Sequence, residues 1–362
     1  MDDIGEPELD DTGARLAARI RAEREARGWS LADLAAPAGT DMALAPGDMA
    51  QSIRQRCFPN IGNGPDGGTA GPNYDQFHPI INPSCEGTNH QDIKGIQKVV
   101  FLGDSITVGT PPTLSNDYYR SKLAAQLAKQ YGLKAPDPLA WNTVNVINGV
   151  GLNKTSGDFW DCAKWGAQTR DLQMTMQQQI ANCFPMLPEP KKTLVVLTMG
   201  GNDLNSIAKD GLNGTPPAQL LTRVDQSVAN VRAAIKTLQD PQKFPSGVFI
   251  VFANVYEFTD GTGDLLSCPS AQAAGYDKPW PDGAPVSVYL NEQLMKVAVE
   301  TQTDMLFLFE EFCGHGFKRN DPNGPCYRGP NTPLWFDPIT CIHPNTEGHG
   351  NLAKFFFDVI TQ

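Results

Sequence analysis

From residue 97 onward the chain alternates short, wholly apolar runs with longer amphipathic ones, and few architectures accept that rhythm. KVVFLGDS, TVNVING, KTLVVLTMGGND, SGVFIVFANV and DMLFLF read as five buried strands. Around them, SNDYYRSKLAAQLAKQYG, TRDLQMTMQQQIAN, AQLLTRVDQSVANVRAAIKTLQ, SVYLNEQLMKVAVETQ and TEGHGNLAKFFFDVIT repeat their apolar residues at helical spacing. A strand that is apolar at nearly every position must be covered on both faces, which is the habit of parallel sheets between helical layers. The prediction is therefore an α/β protein, a three-layer α/β/α sandwich around a central parallel five-stranded sheet. Ligands of such sheets bind beyond the carboxyl ends of the strands, so the chemistry belongs after VVFL, LVVL and LFLF.

The rest of the chain divides by composition. Residues 1–50 are read as a helical and linker leader outside the main fold, and 51–96, rich in Gly, Pro and Asn, as a wrapping arm. Residues 97–362 are read as the main α/β domain, interrupted by long loops at 255–286 and 313–343, which are expected to shape a pocket. Within the leader, residues 12–38 resemble the first two helices of a Cro-type helix-turn-helix, but TDMALAPGDMAQ follows where a recognition helix would stand. With a net charge of −11, no nucleic-acid partner is expected. No run of eighteen apolar residues exists, so no transmembrane helix is expected.

Eight cysteines, all beyond residue 50 and none in a CxxC pair, fit disulfides in a secreted or periplasmic protein. Cys57 and Cys85 could staple the arm. The start of the chain has no signal-peptide pattern, which implies a replaced natural N-terminus if the disulfide reading holds. The pairs Cys313/His315 and Cys341/His343 are too closely spaced for an ordinary zinc site, and Asp260-Gly-Thr-Gly-Asp264 lacks the EF-hand spacing of a calcium loop. No metal and no organic cofactor is expected.

Gly103-Asp104-Ser105 follows the first strand directly, where a turn lifts a serine hydroxyl to the rim of the sheet and aims its N–H at the same space. AKWGAQTRDLQ offers the N–H of Gly166, with Gly149 and Gly151 in NGVG as an alternative, and Gly200-Gly201-Asn202-Asp203 offers the Asn202 amide. His343-Pro344 precedes the last helix. Asp104 and Asp203 suit turns and caps, and His78, His90, His315 and His349 suit structural places.

This ordered set resembles the SGNH hydrolases, also called GDSL esterases and lipases, over about residues 97–362. The resemblance implies a flavodoxin-like sheet, Ser105 as nucleophile, His343 as base, and an oxyanion hole from Ser105, Gly166 and Asn202. It implies a serine esterase acting on small-molecule or lipid esters of short to medium acyl chains through an acyl-enzyme. A lysophospholipase or lipase, or a carbohydrate deacetylase, shares the chemistry, and a non-catalytic ligand-binding relative shares the fold.

One expected group is missing. The family usually places an aspartate three residues before the histidine, and Thr340 stands there. Three acceptors for His343 Nδ1 remain open: a backbone carbonyl near Thr340, the Asp337 carboxylate, or Glu310 or Glu311 at the end of the fifth strand. Tyr256, Phe258, Trp280, Trp335 and Phe336 are candidates to line the acyl site.

Overall fold

KVVFLG becomes β1 (Lys98–Gly103), buried at every residue and lying in the interior of the sheet. The computed structural model describes residues 52–59, 61, 71–173 and 178–362, so the helix-turn-helix-like segment lies outside the described residues. In chain order the other strands are β2 (Val144–Asn145), β3 (Val150–Gly151), β4 (Thr155–Ser156), β5 (Phe159–Asp161), β6 (Thr193–Thr198), β7 (Val248–Ala253) and β8 (Asp304–Leu306). The main sheet has six strands in the order β4-β5-β1-β6-β7-β8. All pairings in it are parallel except that of β4 with β5. The expected five-stranded parallel sheet is present, with one short antiparallel strand added at its edge.

The helices cover both faces, as the burial of β1 and β6 requires. Tyr119–Tyr131 packs on Thr346–Thr361, and Pro217–Leu238 packs on Gly283–Thr301 and Gly201–Leu212. The long helix Pro217–Leu238 buries Leu220, Leu221, Val224, Val228, Val231 and Ile235, an apolar stripe at three- and four-residue spacing.

The second strand is not where periodicity suggested. TVNVING supplies only β2 of the small ribbon β2–β3, and Val146 and Ile147 are exposed. The strand beside β1 is instead Phe159–Asp161, three residues long and ending in an acid. Asp161 is tolerated inside the sheet because Arg120, equally buried, pairs with it at 3.3 Å. That compensation comes from a helix some forty positions away, so no local pattern could announce it. TRDLQMTMQQQIAN is likewise not one helix: Thr169–Leu172 is a 3₁₀ turn and Gln179–Cys183 a short helix. DMLFLF stops as a strand at Leu306, and Leu308–Phe312 is already helical. Glu310 and Glu311 therefore sit on a helix rather than at a strand end.

All eight cysteines are paired, as Cys57–Cys85, Cys162–Cys183, Cys268–Cys341 and Cys313–Cys326. Such a fully oxidised set suits an extracellular or periplasmic setting. The segment around Cys85 covers the edge of β8: Phe307 N–H donates to the Glu86 carbonyl at 2.9 Å and Thr88 N–H to the Met305 carbonyl at 3.0 Å. An edge strand so covered cannot recruit another chain. Among the described residues, no helix is long and apolar enough to cross a membrane.

Candidate active site

Beyond the carboxyl end of β1 the chain must turn within one residue. Gly103 does so at φ +151°, and a Cβ there would lie 2.5 Å from the Thr107 hydroxyl and from the Thr198 carbonyl, so no other residue fits without displacement. The Gln179 amide clamps this turn, accepting from Gly103 N–H and donating to its carbonyl, both at 2.7 Å. Nothing in the sequence marked Gln179 for that task. Asp104 caps the helical turn Ser105–Val108 by accepting from Ile106 N–H at 3.0 Å, as its position after a strand suggested. Burial pushes the Asp104 carboxyl up to about 7, with Asp203 adding to the effect and the backbone bonds opposing it.

Ser105 is the first residue of that turn, where an N–H has no intrahelical acceptor. Its Oγ lies 2.8 Å from His343 Nε2. Two side chains separated by 238 positions are thus brought to hydrogen-bond distance. Desolvation drives the His343 imidazole down to about 4, with the Asp337 charge pulling upward. A neutral ring whose Nε2 faces a serine hydroxyl is the state a general base needs.

Gly166 lies in the segment that continues β5 past the end of β1, where Lys164 N–H donates to the Gly103 carbonyl at 3.1 Å. It adopts φ +71° with open space around its α-carbon. The neighbouring Ala167 carbonyl accepts from Asn202 Nδ2 at 2.9 Å, and among the described residues the second amide hydrogen of Asn202 has no acceptor. Asp203 fastens the two blocks together by accepting Thr169 N–H at 3.0 Å, Thr169 Oγ1 at 2.9 Å and Ser227 Oγ at 3.0 Å. Gly149 has a supporting part, since its carbonyl accepts from Trp165 N–H at 2.7 Å.

Among the described residues, no group is hydrogen-bonded to the buried Nδ1 of His343. The Thr340 carbonyl accepts instead from Ile342 N–H at 2.8 Å. Asp337 Oδ1 serves its own turn, accepting Ile339 N–H, Thr340 N–H and Thr340 Oγ1 at 3.0, 2.9 and 3.1 Å. Asp337 also donates its backbone N–H to the His343 carbonyl at 2.8 Å. Glu310 is engaged elsewhere, accepting from Asn254 at 2.9 Å, and Glu311 is acted on by Arg328. Of the three candidates, only Asp337 acts on the imidazole, and it does so by charge.

A cleft of ≈ 950 Å³, counted to its open mouth, has Ser105, Asn202 and His343 in its wall. Away from them it is lined chiefly by apolar groups, among them Met199, Leu204, Phe258, Tyr276 and Trp280. Tyr256 also lines it and donates its hydroxyl to the Ile342 carbonyl at 2.7 Å, one residue before the histidine. Trp335 and Phe336 do not line it. Trp335 stacks on His315 with ring centroids 3.4 Å apart, and Phe336 packs edge-on against Tyr256 and Phe312. Asp260 accepts the N–H groups of Gly314, Gly316 and Lys318 at 2.8–2.9 Å, and Asp264 pairs with Lys318 at 2.9 Å. These two acids tie the long loops to each other. His349 is buried and accepts from Tyr119 N–H at 3.3 Å, a packing role.

The chain matches the model of the GDSL-like Lipase/Acylhydrolase family over residues 99–356. No curated protein matches it in sequence. Solved structures similar to it include phospholipase A1 from Streptomyces albidoflavus NA297, at 18% identity and a TM-score of 0.42, covering 74% of this chain and 98% of that one. An extracellular lipase from Streptomyces rimosus has 18% identity and a TM-score of 0.40, covering 73% and 98%. The acetylxylan esterase Axe2 from Geobacillus stearothermophilus has 16% identity and a TM-score of 0.39, covering 75% and 97%.

Proposed function

The chain belongs to the GDSL-like lipase/acylhydrolase family and is an ester hydrolase, and from that premise we propose a serine esterase that seats an apolar acyl group of short to medium length in the cleft beside Ser105. The observation that carries this reading is the 2.8 Å approach of Ser105 Oγ to His343 Nε2 at the wall of an apolar cleft. Ser105 Oγ attacks the ester carbonyl while His343 Nε2 takes its proton. The carbonyl oxygen becomes an oxyanion, held by the N–H groups of Ser105 and Gly166 and by the free amide hydrogen of Asn202. Collapse breaks the bond to the alcohol, which leaves with the proton held on Nε2. Water, deprotonated by the same nitrogen, then releases the acid and restores Ser105.

Carboxylic esters of apolar acids suit this cleft better than acetyl groups on sugars, because its lining has little to offer polar hydroxyls. Substitution of Ser105 by Ala is expected to lower kcat by about 10⁶ on a chromogenic butanoyl ester, as loss of a nucleophile does in serine hydrolases. A fluorophosphonate should add its mass to Ser105 alone. Retention of a tenth of the activity by Ser105→Ala, or labelling at another residue, overturns the assignment.

A further inference from the structure

The cleft has a direction. Its wall is built along the helix Gly201–Leu212, which contributes Gly201, Asn202, Leu204, Asn205 and Ala208. The first of these is at the reaction centre: a Cβ on Gly201 would stand 3.7 Å from Asp104 Oδ2, beside Ser105. Ten residues further along the same helix, Gly211 faces Trp280, and a Cβ on Gly211 would come within 2.5 Å of the indole Cζ2. At 1.5 Å of rise per residue these two glycines are about 15 Å apart along the helix axis.

A second glycine packs against Trp280. A Cβ on Gly283, which opens the helix Gly283–Thr301, would also collide with the indole ring. The Trp280 backbone is pinned too, its N–H donating to the Gly263 carbonyl at 2.8 Å and its carbonyl accepting from Gly283 N–H at 2.9 Å. Two glycines thus let the indole pack against backbone, and its exposure is 7%. Nearby, Tyr276 is fixed by a 3.0 Å hydrogen bond from its hydroxyl to Asn205, so the walls on the approach to Trp280 are rigid as well.

We propose that Trp280, seated on Gly211 and Gly283, is the end wall of the acyl-binding cleft and sets the longest acyl chain that gains from it. The natural substrates are then esters of unbranched medium-chain acids that reach this wall. The proposal rests on the reading of Ser105 as the acylated residue but concerns a different part of the cleft. Along an apolar cleft each added methylene that is buried raises kcat/KM about fourfold, the value of burying one CH₂. Past the wall, further methylenes stay in water and the increase stops.

The test is a chain-length profile of kcat/KM on p-nitrophenyl esters from acetate to palmitate, for the wild type, Trp280→Ala and Gly211→Ala. The wild type should rise and then break. In Trp280→Ala the break moves to longer chains, so that the ratio for palmitate over the wild type's best ester rises at least tenfold. Gly211→Ala displaces the indole into the cleft and moves the break to shorter chains. Trp280→Leu, which keeps part of the packing, serves if the alanine variant does not fold. An unmoved break in the Trp280 variants, a uniform loss at every length, or a wild-type profile with no break overturns the proposal. Fluorophosphonate labelling of Ser105 in each variant separates that outcome from a failure of the nucleophile assignment, which would abolish labelling throughout.

Discussion

Asp337→Asn isolates a charge from a hydrogen bond. In the structure Asp337 Oδ1 holds the turn 337–340 by accepting three hydrogen bonds, and an asparagine oxygen can accept the same three. The loop should therefore keep its shape while the negative charge disappears. Asp337 raises the His343 pKa against the lowering by burial, which places it within reach of the imidazolium that forms during reaction. At about 6 Å, the outer end of the range over which a neighbouring charge shifts a pKa, opposite charges at an effective dielectric of about 20 attract by about 3 kcal/mol. Its loss slows the chemical step about a hundredfold. An acid hydrogen-bonded to Nδ1 would cost about 10⁴ instead, because it also fixes the tautomer.

Two measurements on the same variant decide the matter. The first is kcat on a chromogenic ester, with a thermal melt to show the fold intact. The second is the acid limb of kcat/KM. His343 works as a base only when neutral, so activity falls as pH drops through its pKa of about 4. Removing a negative neighbour lowers that pKa, so the limb must move to more acid pH in Asp337→Asn. A loss below threefold with an unmoved limb refutes the charge argument. A loss near 10⁴ refutes it in the other direction, by showing that a triad assembles during catalysis.

Two further changes probe the supports of the site. Cys268–Cys341 joins the cleft loop to the residue two positions before His343 and closes a separation of 73 residues; replacing both cysteines by serine should cost about 4 kcal/mol of stability and lower kcat at temperatures where the variant is still folded, whereas an unchanged kcat would show that the bond does not position the histidine. Glu310 is buried and pushed up to about 7 from 4.5, so it holds a proton in the native state that the unfolded chain gives up between those values. Its contribution to stability is present below pH 4.5 and is lost as pH rises to 7, at about 1.4 kcal/mol per pH unit. Glu310→Gln should remove that slope, and urea unfolding at pH 5 and pH 7.5 reads it; an equal difference between variant and wild type at both values would refute the burial argument.

What was legible in the sequence was what local pattern encodes. The buried runs at β1, β6 and β7 and the amphipathic helices between them depend on spacing alone. So does the arrival of Ser105 and Asn202 just after strands. The unrecognised strand Phe159–Asp161 was illegible because its acid is neutralised by Arg120, a partner far along the chain. The aromatic residues near the loops were equally ambiguous: Tyr256, Phe258 and Trp280 face the cleft, whereas Trp335 and Phe336 stack on other rings.

The sequence by itself determined four of the five parallel strands, the long amphipathic helices, and the family to which four short blocks belong, because hydrophobic periodicity and turn chemistry act over a few residues. Only the tertiary structure decided which groups meet. Ser105 and His343 come together because β1 and the C-terminal loop end at the same rim of the sheet. Asp337 Oδ1 keeps its hydrogen bonds within its own turn, and among the described residues His343 Nδ1 has no hydrogen-bond partner, since a turn of four residues fixes where that carboxylate points. The wall at Trp280 needs two glycines 72 positions apart (211 and 283) to close on one ring, a coincidence of packing that no window of sequence contains.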